Sequence, residues 1–143
     1  MQGAVGLEGL SRGCEEAHFI EMDPWIVKKC LAPNITSTGF ASQSVVHTMK
    51  CEDFLLRAKS APGFAGGAFD FISVTPPYLL VSYPQLFDLL EGSQILHDRT
   101  VVIIEYSRQN RPDIRDKIGN LSLVRDRKYG RTLLAIYANQ AAL

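Results

Sequence analysis

Apolar positions along the chain change their spacing repeatedly, and each change predicts an element. Val5, Leu7 and Leu10 follow Gly3 and Gly6 as a glycine-rich loop turning into a helix would, with Gly13 as a C-cap after Arg12. Ala17 to Met22 reads as a short strand ending in Glu21 and Asp23, and Pro24 stands where a helix tolerates proline best. Trp25 through Ser37 reads as a helix with Ile26, Cys30 and Leu31 among its apolar positions, kinked or broken at Pro33. Ser44–His47 is a further strand, and Cys51–Leu56 opens a helix with acidic residues in its first turn. Residues 61–67 are loop by composition. Phe71–Val74 is apolar on both sides of its alternation except at Ser73, the mark of a strand buried on two faces. Tyr83–Leu90 is an amphipathic helix, and Thr100–Tyr106 is the clearest strand of the chain. Ser107–Asn120 is polar. Leu121–Tyr129 and Thr132–Ala138 then form two strands around Gly130-Arg131, a two-residue hairpin turn.

Strands separated by helices predict an α/β fold with a mostly parallel sheet, and the last two strands predict an antiparallel hairpin at its end. At 143 residues one domain, 1–143, is expected, large enough for a single core. No apolar run reaches the length of a membrane span, so no membrane partner is expected. Cys14, Cys30 and Cys51 are an odd, scattered set without metal-ligand spacing. They predict reduced thiols in a reducing intracellular compartment and no metal site. The chain opens without the pattern of a signal or transit peptide. Its zero formal charge hides an asymmetry: six Lys/Arg against eleven Asp/Glu in residues 1–98, then nine against four in residues 99–143. The basic end permits an anionic partner, and a merely solvated face accounts for it equally well.

Candidate chemistry gathers at the ends of the predicted strands. Pro76 and Pro77 end β pairing abruptly because neither has an N–H to give. The carbonyls of Thr75 and Pro76 are thereby left as acceptors at the carboxyl end of a strand, where α/β folds place ligands. Tyr78 follows as a planar, part-polar ring. An acceptor beside a stacking ring suits a planar group bearing an amine, such as a nucleobase. Glu21, at the end of the second strand of a nucleotide-binding unit, can accept both hydroxyls of a ribose, with Asp23 free to cap the helix at Pro24. Asp53 either caps its helix or accepts from an adenine amine.

The Thr75-Pro76-Pro77-Tyr78 stretch resembles the Asp/Asn-Pro-Pro-Tyr/Phe motif of S-adenosylmethionine-dependent amino-methyltransferases, with Thr75 in place of the first residue. With Gly3–Gly13, Phe19-Ile20-Glu21-Met22-Asp23, and Tyr129-Gly130-Arg131-Thr132 followed by Leu134–Tyr137, the whole chain resembles one family in order. These are the RsmD-like enzymes that methylate the exocyclic N2 of a guanine in small-subunit (16S-type) ribosomal RNA. The resemblance implies a Rossmann-like class I methyltransferase fold and S-adenosyl-L-methionine as cofactor. It places Gly3, Gly6, Glu21, Met22, Glu52 and Asp53 at the cofactor. It makes Thr75, Pro76, Pro77 and Tyr78 the catalytic loop, and Arg108, Arg111, Arg125, Arg127, Lys128 and Arg131 candidates for RNA contact. Ribosomal RNA or the small ribosomal subunit is the implied partner, with a monomer favoured. The threonine variant looks most like plant members, which implies a chloroplast or other organellar ribosome, and otherwise the cytoplasm. The family carries a strand before its glycine loop, so the first strand of the sheet is expected to be missing and the chain N-terminally truncated. Two other readings remain open: a catalytically degenerate fold that binds RNA or protein, and an amino-methyltransferase for adenine N6 or a glutamine amide.

Overall fold

A computed structural model of the chain describes residues 2–61, 63–76 and 81–140. Its elements alternate helix and strand until β4 and end in an antiparallel run. One domain is expected from length; by packing, the chain resolves into two compact units, Met1–Phe54 and Leu55–Leu143. The boundary falls inside helix α4 (Cys51–Ser60).

The first unit begins with α1 (Ala4–Ser11), which packs against β1 (Ala17–Ile20). Strand β1 runs parallel to β2 (Ser44–His47) with Ile20 opposite His47. Between them Asp23 accepts a hydrogen bond from the Trp25 N–H (2.9 Å) and caps α2 (Pro24–Ile26), with Pro24 at the permitted first turn. The chain continues through a π-helical turn (Val27–Leu31) into α3 (Ala32–Ser37). Pro33 has no N–H for Lys29 and would press its ring on that carbonyl, and the wider turn before it is the break that the sequence predicted. Leu7, Leu10, Phe19, Leu31 and Ile35 form the buried cluster of this unit, with Ala17, Val27, Phe40 and Val46 packed at its margin.

The second unit is built on a five-stranded sheet in the order β3-β4-β7-β6-β5. Strand β3 (Phe71–Val74) is parallel to β4 (Val101–Tyr106), which is antiparallel to β7 (Thr132–Ala138). Strand β6 (Leu121–Tyr129) pairs antiparallel with β7 and with the short β5 (Lys117–Ile118). The hairpin spans the predicted residues. Gly130 takes φ 62° while no described non-glycine residue has positive φ, so Gly130-Arg131 has the sign pattern of a type II′ turn. Helix α5 (Tyr83–Leu90), capped by Ser82, buries Tyr83, Leu86, Phe87 and Leu90. Phe87 meets Tyr137 edge-on at 5.8 Å. Val102, Ile104, Tyr106, Leu133, Ala135 and Tyr137 share one face of the sheet by register, and that face is buried. Thr132, Leu134 and Ile136, on the opposite face, are half-buried.

Two expectations change. The parallel strands fall into two sheets, one of each unit, so that the pairings are mixed. Strand β3, read as buried on both faces, alternates exposed and half-buried, with Phe71 66% exposed. Among the described residues β3 pairs with β4 alone, so an apolar composition has not brought burial. Within the polar stretch after β4, Arg108–Asp113 form a 3₁₀ helix and Lys117–Ile118 a strand.

Candidate functional site

In the first unit the candidate cofactor residues lie at one end of the β1–β2 pair. Gly3 caps α1 in the left-handed region (φ 78°), a conformation that suits glycine. A Cβ on Gly3 would come 2.6 Å from Leu31 Cδ1, and one on Gly6 would collide with the Phe19 ring edge. Both glycines are therefore needed to let α1 lie close on β1, whatever else approaches the loop. This brings the start of α1 beside Phe19, two residues before Glu21.

Glu21 follows β1 and still carries the pairing: its N–H donates to the His47 carbonyl and its carbonyl accepts from the Met49 N–H, each at 3.1 Å. One carboxylate oxygen, Oε2, accepts from the Asp23 N–H at 3.1 Å. That bond fixes the carboxylate at the strand end and leaves Oε1 for another donor. Met22 is exposed. Glu52 and Asp53 occupy the first turn of α4, where the helix dipole favours them.

Sequence reading missed a cluster beneath this end. His18 Nδ1 and His47 Nε2 lie 2.9 Å apart with their rings stacked, and His18 Nε2 is 2.6 Å from Glu16 Oε1. His47 also meets Phe54 edge-on. Burial, and then the neighbouring His18, hold the His47 pKa below the ordinary histidine value. Two histidines on adjacent strands were visible in the sequence, but parallel register alone brings them together. Close by in sequence, Cys51 has its thiol pushed up to about 11 by burial and by Glu52, so it stays protonated at neutral pH.

In the second unit Thr75 follows β3 directly and is exposed, with Pro76 half-buried after it. Pro77 and Tyr78, the rest of the candidate catalytic loop, lie outside the described residues. The candidate RNA-contact residues are all exposed and occupy two places: Arg108 and Arg111 on the 3₁₀ helix, Arg125, Arg127, Lys128 and Arg131 on the β6–β7 ribbon. Arg111 is already engaged. Its Nη1 donates to Asp126 Oδ2 at 3.2 Å and its guanidinium lies over the Tyr106 ring. Tyr106, fully buried, donates its hydroxyl to Asp126 Oδ1 at 2.6 Å, and burial followed by that carboxylate pushes its pKa up to about 12. Asp126 thus locks the end of β4 to β6 rather than cancelling the charges beside it in sequence.

A family model described as Conserved hypothetical protein 95 matches residues 2–138. The chain is 28% identical over 136 residues to YlbH of Bacillus subtilis strain 168, named as a candidate rRNA methyltransferase, covering 94% of this chain and 70% of that protein. It is 27% identical over 139 residues to ribosomal RNA small subunit methyltransferase D of Escherichia coli K12, covering 97% of this chain and 65% of that one. Among solved structures it is similar to yhhF of Escherichia coli, titled a candidate methyltransferase, with a TM-score of 0.77 at 26% identity, covering 96% of this chain and 70% of that chain.

Proposed function

Because this chain belongs to the family described as Conserved hypothetical protein 95, we propose that it is an S-adenosylmethionine-dependent methyltransferase of ribosomal RNA whose acceptor is the exocyclic amine of a guanine in the small-subunit RNA. The relatives' names support the RNA substrate, and the single observation that carries the reading is Glu21. Its carboxylate stands at the end of β1 with one oxygen tied to the Asp23 N–H and the other left to accept. A ribose diol offers the donors that such a carboxylate takes.

In this reading Glu21 holds the ribose, Gly3 and Gly6 let the backbone come close to the cofactor, and Met22, Glu52 and Asp53 border the nucleoside. The cofactor, when bound, supplies an electrophilic methyl group. The chain's own part is positioning. An aryl amine is a weak nucleophile because its lone pair is conjugated with the ring. The Thr75 hydroxyl and the Pro76 carbonyl each accept one amine hydrogen, which favours the geometry in which the lone pair faces the methyl group. Tyr78 stacks on the base, which must leave its own stack to reach the loop. Thr75 is uncharged, like the Asn and unlike the Asp of the related motif, so it holds the amine by hydrogen bonding alone.

Transfer of a radiolabelled methyl group from S-adenosylmethionine to purified small ribosomal subunits tests the reading, with DNA and a glutamine-bearing protein as parallel acceptors. Label on a guanine of the ribosomal RNA, lost with Glu21→Ala and reduced with Thr75→Val, is the expected result. Cofactor and RNA binding without label on any acceptor, unchanged by Thr75→Asn, would identify a binding module instead. Label confined to DNA or protein would move the acceptor.

A further inference from the structure

The β6–β7 ribbon sorts its charges by face. In an antiparallel pair, residues opposite each other point to the same side. Asp126 stands opposite Ala135 and Lys128 opposite Leu133, both buried. Arg125 stands opposite Ile136, Arg127 opposite Leu134 and Tyr129 opposite Thr132, all three half-buried positions of the other face. The single anion of this segment therefore lies on the inner face with Tyr106 and Arg111, while the outer face carries two guanidiniums and then a phenol ring. Tyr129 is 61% exposed at the end of the strand, with Lys128 and Arg131 on either side of the turn. Arg125 donates to its neighbouring Val124 carbonyl at 2.9 Å, and among the described residues Arg127, Lys128 and Arg131 make no ion pair.

We infer that this face of the ribbon is a docking surface for single-stranded RNA, with Arg125, Arg127 and the turn residue Arg131 on the phosphates and the Tyr129 ring stacked on an unpaired base. The inference rests on the proposed RNA substrate and adds which element grips it, in what form and through which ring. Charge complementarity favours a polyanion, and the exposed ring selects the single strand. A base offers its π-face only when it is out of a helix, and A-form RNA keeps its bases stacked with the major groove too narrow for side chains. An acidic protein would satisfy the cations but would leave the ring without a stacking partner.

The full chain is titrated by fluorescence anisotropy with a labelled 12-nucleotide single-stranded RNA, with the same RNA annealed to its complement, and with polyaspartate as competitor. The single strand should bind more tightly than the duplex. Tyr129→Ala should weaken single-strand binding by about ten-fold or more, and Tyr129→Phe should retain it, because stacking and not the hydroxyl is used. Arg125→Gln with Arg127→Gln should flatten the dependence of log affinity on log salt by about 1.4, two phosphates' worth for a single strand. The three substituted side chains are exposed, so unchanged thermal unfolding of the variants checks that the fold is intact. Equal binding of duplex and single strand with no effect of Tyr129→Ala would overturn the proposal. So would displacement of the RNA by polyaspartate at matched charge concentration. If the wild type methylates ribosomal RNA and the ribbon variants bind and methylate as it does, this inference fails while the proposed function stands. If the ribbon variants lose RNA but the wild type transfers no methyl group, the proposed function fails and the docking surface stands.

Discussion

The two units hold themselves together differently. In residues 1–54 a two-stranded parallel sheet carries a small cluster in which the most deeply buried side chains, Leu7 and Leu31, are each 3% exposed. In residues 55–143 a five-stranded sheet carries Leu86, Leu90, Val102, Ile104, Tyr106, Ala135 and Tyr137, all 0% exposed. Burial of large side chains also requires polar closure. Tyr83 donates to the Glu105 carbonyl at 2.8 Å, Tyr137 to the Arg115 carbonyl at 2.6 Å, and Tyr106 to Asp126. Each phenol thereby fills core volume and ties two segments. A pair of strands is marginal on its own, whereas three or more with a covered face are stable. The carboxylate proposed to hold the cofactor thus sits in the more lightly packed unit, and the proposed RNA ribbon grows from the firmer one. Amides of β1 and β2 should accordingly exchange with solvent faster than those of β4 and β7. Equal protection would show that the contrast in packing carries no difference in local stability.

The strongest way to break the contrast is to open the firmer core. Leu86→Ala should lower stability by about 4 kcal/mol, against about 2–3 kcal/mol for Leu10→Ala in the first unit, read from denaturant midpoints at constant m-value. Next comes the glycine contact: Gly6→Ala should cost about 1–3 kcal/mol, because its Cβ meets the Phe19 ring. Phe19→Leu in the same chain should recover part of that loss, and strictly additive losses would remove the contact as the cause. Tyr137→Phe leaves the Arg115 carbonyl short of a donor and should cost about 1–2 kcal/mol, seen as a lower unfolding temperature. The smallest effect sharpens the comparison by pH. His47 has its pKa lowered in the fold, so the unfolded chain binds the proton more readily than the folded one. Stability from the neutral imidazole is present above about pH 6.5 and is lost as pH falls below it. Exchange in β1 and β2 should quicken on acidification from pH 7 to pH 5.5, after correction for intrinsic rates. His47→Gln should remove that dependence.

Much of the architecture was legible because it rests on period and punctuation. The alternation through Leu121–Tyr129 and Thr132–Ala138, broken by Gly130, specified the hairpin, and the Asp23-Pro24 start specified a capped helix. Composition misled at β3, because Phe71-Ile72-Ser73-Val74 is rich enough for a buried strand while neighbours, which the local sequence does not name, decide burial. At the candidate site, Glu21 was readable as an acidic strand end, but its bond to the Asp23 N–H was not. Gly3 and Gly6 were read as a ligand loop, yet Phe19 and Leu31 already demand them. The His18–His47 contact and the Tyr106–Asp126–Arg111 lock depend on register between separate strands, so no spacing along the chain announces them. Arg111 shows the cost of reading charge from composition: it belongs to a basic run but is engaged by a carboxylate.

Between Leu123 and Arg125 strand β6 carries one residue more than β7, since Leu123 stands opposite Tyr137 and Arg125 opposite Ile136. Side-chain direction along a strand is a matter of parity, odd or even, and this irregularity resets it. Under uninterrupted pairing Arg125 would share the inner face with Leu123, and Arg127 would follow it toward Leu133. Small length changes here should therefore differ sharply with position. Loss of Val124 simply regularises the ladder and keeps every guanidinium outward. Loss of Asp126, two residues on, removes the anchor of Tyr106 and also turns Arg125 inward. The difference between a silent deletion and a disruptive one on this ribbon is thus set by counting, before any chemistry of the lost side chain is considered.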